Sequence, residues 1–196
     1  MKALYVLLAY LIGALPSGYL VFRIFERKDI RKFGSGNTGA TNILRLKGWS
    51  YALPVAFLDV FKGFLPPFLA LKILRDPTLA AILAAAAVAG HCFPVYIHFR
   101  GGKGVAPAMG SYLALSFWPF LAAAAAFLAA IILTRYVSLG SLAAAFVFPL
   151  ASYIIEKRAD LLALGLAVFI LIAVRHAGNI RRLLAGTERK LGERKI

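Results

Sequence analysis

The sequence predicts an all-α integral membrane protein with seven transmembrane helices. Three observations carry that prediction. Of the 196 residues, 61% are hydrophobic, and the mean hydropathy is +0.80, whereas a soluble domain is about half apolar. The apolar residues form separate segments, most of them near the ~20 residues that a bilayer crossing needs. The basic residues gather between those segments on one predicted side, as cytoplasmic loops do. At this length one helical bundle, residues 1–196, is the expected domain.

The first span covers residues 3–22. Lys2 precedes it, and Arg23, Arg27, Lys28, Arg31 and Lys32 follow it. It lacks a basic n-region and a small-residue cleavage site, so it reads as a retained span and not a signal peptide. The charge cluster behind it puts the N-terminus outside and the next loop in the cytoplasm. Pro16 is placed to kink it.

Residues 33–45, F-G-S-G-N-T-G-A-T-N-I-L-R, are the most polar and glycine-dense stretch of the chain. Asn37 suits an N-cap and Gly48 a stop, so 38–47 reads as a short interfacial helix on the cytoplasmic side. Thr38, Thr41, Asn42 and Arg45 then share one face. With Gly34, Gly36, Gly39, Ser35 and Asn37 before it, this helix N-terminus suits a phosphate. The alternative is an interfacial helix with a well-made cap.

The second span, 49–71, carries Asp59 and Lys62 at i and i+3. Ionisable groups at that depth are costly. They read as a mutual ion pair, or as a brace for the site side of the bundle. Arg75-Asp76-Pro77 form an outer turn. The third span, 78–98, has an alanine-rich first half that suits close packing, and Pro94 disrupts its end.

Residues 91–107, H-C-F-P-V-Y-I-H-F-R-G-G-K-G-V-A-P, hold a second basic glycine turn. Gly101, Gly102 and Gly104 precede a helix whose first turn holds Pro107, a position that tolerates proline. Their N–H groups and Lys103 make an anion cradle, with a flexible basic membrane turn as the alternative. It is not a Walker A loop, because Ile97 stands at the upstream glycine position and Gly104 replaces Ser/Thr. His91 and His98 read as interfacial or hydrogen-bonded groups.

Residues 105–134 are long for one span and short for two, with a break expected at Trp118-Pro119. Arg135 and the polar turn after it have the composition of the cytoplasmic loops, so two crossings are expected. Residues 139–155 form the sixth span and 161–178 the seventh, with a basic tail inside from Arg181 to Ile196. Ser138 reads as a helix cap or a cavity residue, and Ser141 lies one turn further in. His176 and Asn179 are three apart on one helix face, either contacting a substrate or belonging to a basic anchor. This topology leaves only Lys2, Lys72, Arg75, Lys157 and Arg158 outside, with Lys62 in the membrane, among 23 Lys and Arg residues.

Composition also narrows the chemistry. Cys92 is the single cysteine, so no internal disulfide forms. A net charge of +15 favours anionic lipid and anionic substrates. The bases are scattered among apolar spans, which argues against nucleic acid as a partner. The polar motifs carry no Asp or Glu and no zinc-type spacing, so neither a metal nor a cofactor is expected. No Ser-His-Asp arrangement is visible.

Three blocks carry a family resemblance: G-S-G-N-T-G-A-T-N (34–42) with Arg45; G-H-C-F-P-V-Y (90–96) with F-R-G-G-K-G-V-A (99–106); and V-S-L-G-S (137–141). L-D-V-F-K-G (58–63) and R-H-x-x-N-I-x-R-L (175–183) add to them. In order and spacing the chain resembles the bacterial acyl-phosphate-dependent glycerol-3-phosphate acyltransferases of the PlsY type. The resemblance implies seven helices in the bacterial inner membrane, a site at the cytoplasmic face, and acyl transfer from acyl phosphate to glycerol 3-phosphate. It also implies a lipid environment and leaves room for an acyl-phosphate-producing enzyme as partner. By position it assigns Ser35, Arg45, Lys103, Ser141, His176 and Asn179 to glycerol 3-phosphate, and Thr41, Asn42, Gly101, Gly102 and Gly104 to acyl phosphate. Either His176 or the substrate's own phosphate takes the hydroxyl proton, with the substrate-assisted route favoured. The rival reading is a transporter or flippase of phosphorylated small molecules. That would call for inverted repeats and paired broken helices, and the sequence shows no such repeat.

Overall fold

A computed structural model describes residues 1–193, and every regular element among them is helical. The expected placement of Arg194 and Lys195 on the inner side lies outside the described residues. The helices are α1 (Lys2–Ala14), α2 (Ser17–Glu26), α3 (Ala40–Lys47), α4 (Trp49–Leu69), α5 (Pro77–Cys92), α6 (Val105–Leu115), α7 (Phe117–Thr134), α8 (Val137–Glu156), α9 (Ala159–Arg175) and α10 (Ala177–Leu184).

Five stretches are long and apolar enough to cross a membrane: Lys2–Glu26, Trp49–Leu74, Pro77–Ile97, Phe117–Thr134 and Val137–Glu156. The bent pair α9 and α10 makes a sixth if counted as one. The expected seventh, α6, has 11 residues, or ~16 Å of helix, so length and composition alone do not make it a span. Large apolar side chains such as Ile132, Leu133 and Ile154 face outward, as lipid-facing residues do.

The first span breaks outright at Leu15-Pro16 instead of merely kinking. Proline there cannot supply the next helical N–H, and at the break the Leu15 carbonyl accepts from the Ser17 N–H at 3.0 Å and from Lys62 Nζ at 2.6 Å. The break expected at Trp118-Pro119 falls at Ser116, whose backbone is extended. Pro119 lies in the first turn of α7, where a missing N–H costs nothing. Its neighbour Ser116 donates to Glu156 at 2.6 Å.

The core joins α5, α6, α8 and α9 through Val88, Tyr112, Phe148 and Ile172, with the Tyr112 and Phe148 rings stacked at 3.6 Å between centroids. α4 and α6 approach backbone to backbone at Gly63 and Gly110, where a Cβ would overlap Pro107 and the Val60 carbonyl. That contact holds the start of α6, and with it the glycine turn, against the bundle.

Candidate functional site

The first glycine turn is shaped by Asn42. Its Oδ1 accepts from the Ser35 N–H at 2.9 Å, and its Nδ2 donates to the Phe33 and Asn37 carbonyls at 3.2 and 2.9 Å. Gly34 and Gly36 take positive φ, 62° and 72°, so that the turn can close. The helix expected over 38–47 begins at Ala40, with Gly39 and not Asn37 at its N-cap. Asn37 Oδ1 instead accepts from the Gly39 N–H at 2.8 Å, a local turn that competes with helix formation. Thr38 therefore leaves the shared face and is buried. Gly48 stops the helix as expected.

The second glycine turn is held from two sides. His91, near the end of α5, accepts the Gly102 N–H on its carbonyl at 3.0 Å, and its ring fills the space that a Cβ at Gly102 would need. Arg175, the last residue of α9, donates to the Gly102 and Gly101 carbonyls at 3.0 and 2.9 Å. Behind His91, Asp59 Oδ1 is 3.6 Å from its Nδ1 and 2.8 Å from Lys62 Nζ. The expected ion pair is present and extends to a third group.

The last span ends at Arg175, and α10 leaves it at 67°. His176 occupies the break, and Asn179 lies on α10, so the expected single helix face is a corner. His176 Nδ1 is 2.9 Å from the Ile172 carbonyl. A carbonyl only accepts, so Nδ1 carries the proton and Nε2 keeps its lone pair. Ser141 donates to its own helix at Val137, 2.8 Å away.

These elements enclose two adjoining polar lobes. The larger, about 550 Å³, is lined by Gly101, Arg100, Arg175 and Arg189 among others. The smaller, about 190 Å³, is lined by Thr41, Asn42, Asp59, His91, Ser138, Ser141 and His176 among others. Ser35, Asn37, Arg45, Lys103 and Asn179 line both. The polar motifs of the sequence thus converge, but their expected division between two ligands does not follow the lobes, since Ser141 and His176 share one with Thr41 and Asn42. Gly102 and Gly104 are buried and line neither, and Lys62 lines neither.

Sequence reasoning missed Glu188, which sets aside the expectation that no acid enters the polar motifs. The tail turns back after α10, and this carboxylate accepts from Ser138 Oγ (2.9 Å), Asn179 Nδ2 (2.6 Å) and Arg182 Nε (2.7 Å). Burial alone would raise its pKa, but those hydrogen bonds hold it below the usual carboxylate range. The one available signal was its place as the first acid after Asp160 in a mostly basic tail. The bracing role of Arg175 and the pairing of Arg182 were missed as well. Lys103 Nζ donates to Asn179 Oδ1 at 2.5 Å. Burial, reinforced by Arg182, Arg45 and Arg175 and opposed by Glu188, lowers the Lys103 pKa to about 8. Among the described residues, His, Cys, Asp and Glu nowhere gather in threes that could hold a metal ion.

The sequence profile of the family described as glycerol-3-phosphate acyltransferase matches residues 3–186. A glycerol-3-phosphate acyltransferase of Endomicrobium trichonymphae is 41% identical over 190 residues, covering 97% of this chain and 96% of that one. One of Dinoroseobacter shibae is 45% identical over 194 residues, covering 98% and 94%. The crystal structure of PlsY, an integral membrane glycerol 3-phosphate acyltransferase, in its glycerol 3-phosphate form superposes with a TM-score of 0.92 at 36% identity, covering 97% and 96%. Its lysophosphatidic acid form superposes with a TM-score of 0.89 at 35% identity, covering 97% and 95%.

Proposed function

The chain belongs to the glycerol-3-phosphate acyltransferase family, and on that premise we propose that it moves a fatty acyl group from acyl phosphate to the 1-hydroxyl of glycerol 3-phosphate. The products are 1-acylglycerol 3-phosphate and inorganic phosphate. One observation carries the reading: Arg45 and Lys103 line both polar lobes, as suits two phosphate-bearing ligands that must meet.

In this reading Ser35, Arg45, Lys103, Ser141, His176 and Asn179 contact glycerol 3-phosphate. Thr41 and the second glycine turn, through Gly101, meet the donor. Asn42 contributes through the turn it shapes, because its amide is already bonded; Gly102 and Gly104 contribute conformation. The hydroxyl oxygen attacks the acyl carbon, and the bond from that carbon to the phosphate oxygen breaks. Charge developing on the leaving phosphate is met by Lys103, Arg45 and backbone N–H groups. The hydroxyl proton passes to the substrate's own phosphate, with a second pKa near 6 by analogy with phosphoserine. His176 orients that hydroxyl at Nε2. No covalent enzyme intermediate is needed, and Cys92 is buried in the apolar core.

The single bundle stands in a bacterial inner membrane with seven crossings, the N-terminus outside and the site on the cytoplasmic side. Length supports five or six crossings. α6 is counted as the seventh because the Ser116–Glu156 bond ties its far end to the end of α8 remote from the site.

Purified protein incubated with glycerol 3-phosphate and, separately, acyl phosphate, acyl-CoA or an acyl carrier protein thioester tests the reading. Lysophosphatidate and phosphate release are expected with acyl phosphate alone. Product with a thioester instead would refute the donor, and product with none would return a transporter to first place.

A further inference from the structure

The tail after α10 turns back at Gly186, in a positive-φ conformation of 67°, and brings Glu188 to the wall shared by both lobes. Its side chain is only 4% exposed, although Thr187 and Arg189 on either side are exposed. A carboxylate in a cavity built for anions works against substrate binding unless it does something else. It is also a poor proton acceptor, because three donors already occupy it.

Asn179 lies between this carboxylate and Lys103. An amide has a donor end and an acceptor end. Nδ2 donates to Glu188 at 2.6 Å, and Oδ1 accepts from Lys103 at 2.5 Å. Reversed, the amide would set its NH₂ against the ammonium and its oxygen against the carboxylate. Lys103 carries three N–H donors. One is committed to Asn179, and two are left for an anion. A direct Glu188–Lys103 pair would neutralise the cation, whereas the intervening amide orients it and leaves it without a carboxylate in direct contact. The tail has other anchors: Arg135 exchanges two hydrogen bonds with Leu191, and Thr187 N–H donates to the Arg182 carbonyl.

We propose that Glu188 is a positioning residue for acyl transfer: through the Asn179 amide it sets where Lys103 presents its ammonium to the phosphate of glycerol 3-phosphate. The inference rests on the acyltransferase reading for the identity of that phosphate.

The test compares the full-length parent, Glu188→Gln, Asn179→Ala and the double variant in detergent. Each is assayed by glycerol 3-phosphate saturation in turnover and by direct titration of glycerol 3-phosphate without donor. Glu188→Gln should raise the KM and the Kd for glycerol 3-phosphate about tenfold, ~1.4 kcal/mol, and leave the donor KM within about twofold. The double variant should bind no more weakly than Asn179→Ala alone, because coupled groups are not additive. Additive losses, equal losses for both substrates, or tighter binding by Glu188→Gln would overturn the proposal. The last would mean that the carboxylate simply competes with phosphate. If Glu188→Gln does not fold, Glu188→Asp, which keeps the charge but shortens the reach, should raise the glycerol 3-phosphate KM about threefold, as a weakened hydrogen bond does, and an unchanged KM overturns the proposal. A wrong donor would show as a parent without turnover while the donor-free titration still decides the role of Glu188.

Discussion

Lys103 is the residue on which the charge of the site converges. Its loop position makes its titration a direct probe of the site. Burial first, then the neighbouring arginines, brings its pKa from 10.5 to about 8. The free protein therefore loses this cation as pH rises through about 8. The kcat/KM for glycerol 3-phosphate, which reports the free enzyme, should fall about tenfold per pH unit above that value. Bound phosphate favours the charged form, so kcat should hold to higher pH. Lys103→Arg keeps its charge throughout and should remove the falling limb, at a lower plateau because a guanidinium fork presents its donors differently. Rates measured from about pH 6.5 to 9.5 decide this; a flat parent profile would sink the assignment. Stability moves the other way. Between about 8 and 10.5 the unfolded chain binds the extra proton at this residue, so the cost of burying the ammonium is present below about 8 and relieved as pH rises through that window.

At the scale of elements, the turn between α5 and α6 depends on what stands behind it. A Cβ at Gly102 would overlap the His91 imidazole, which lies against Asp59. Gly102→Ala should displace the turn, and Lys103 with it. Because misplacement by about 1 Å can cost ~100-fold, kcat/KM should fall on that scale while circular dichroism stays unchanged. Wild-type turnover would show that the turn does not position the ammonium. The same buttress gives a stability prediction. Asp59 and Lys62 are paired at 2.8 Å with side chains 2% and 6% exposed. Asp59→Ala leaves a buried ammonium and should cost about 3–5 kcal/mol, whereas Asp59→Asn with Lys62→Met should recover most of that. Unfolding midpoints in detergent measure both, and equal losses would mean that the charges themselves are not coupled. The Asp59–Lys62 pair was legible because i and i+3 meet on any helix; His91 was not, because it comes from another helix. The glycine turns were legible from composition. The start of α3 was misread because Asn37 and Asn42 both bond back into the turn. The end of α9 carries no proline or glycine at the break; there Arg175 is engaged by the carbonyls of the second turn. Glu188 stands in a run that reads as solvated tail, and its three partners come from α8 and α10.

For the whole molecule the question is which end of the bundle meets which side of the membrane. One end gathers both glycine turns, His176 and the tail. The other holds the Lys2–Asp76 pair at 2.8 Å and the bond from Ser116 to Glu156. α6 has the weakest claim to cross, at 11 residues and ~16 Å of helix against a hydrocarbon core of ~30 Å. Yet its Gly110, Ser111 and Tyr112 are buried, and Ser111 donates to the Gly63 carbonyl of α4 at 2.9 Å. A short helix is tolerable at membrane depth where protein and not lipid surrounds its ends. Trp118, 62% exposed, follows the turn that joins α6 to α7, so it reports directly on the crossing. Cys92 is buried, which gives a quiet background for labelling with a membrane-impermeant maleimide. In intact cells Trp118→Cys and Arg158→Cys should label, and Arg189→Cys should label only after permeabilisation. The reverse pattern would invert the orientation. Labelling at Arg158→Cys without any at Trp118→Cys would leave residues 105–134 short of the outer face, and the count of seven would fall.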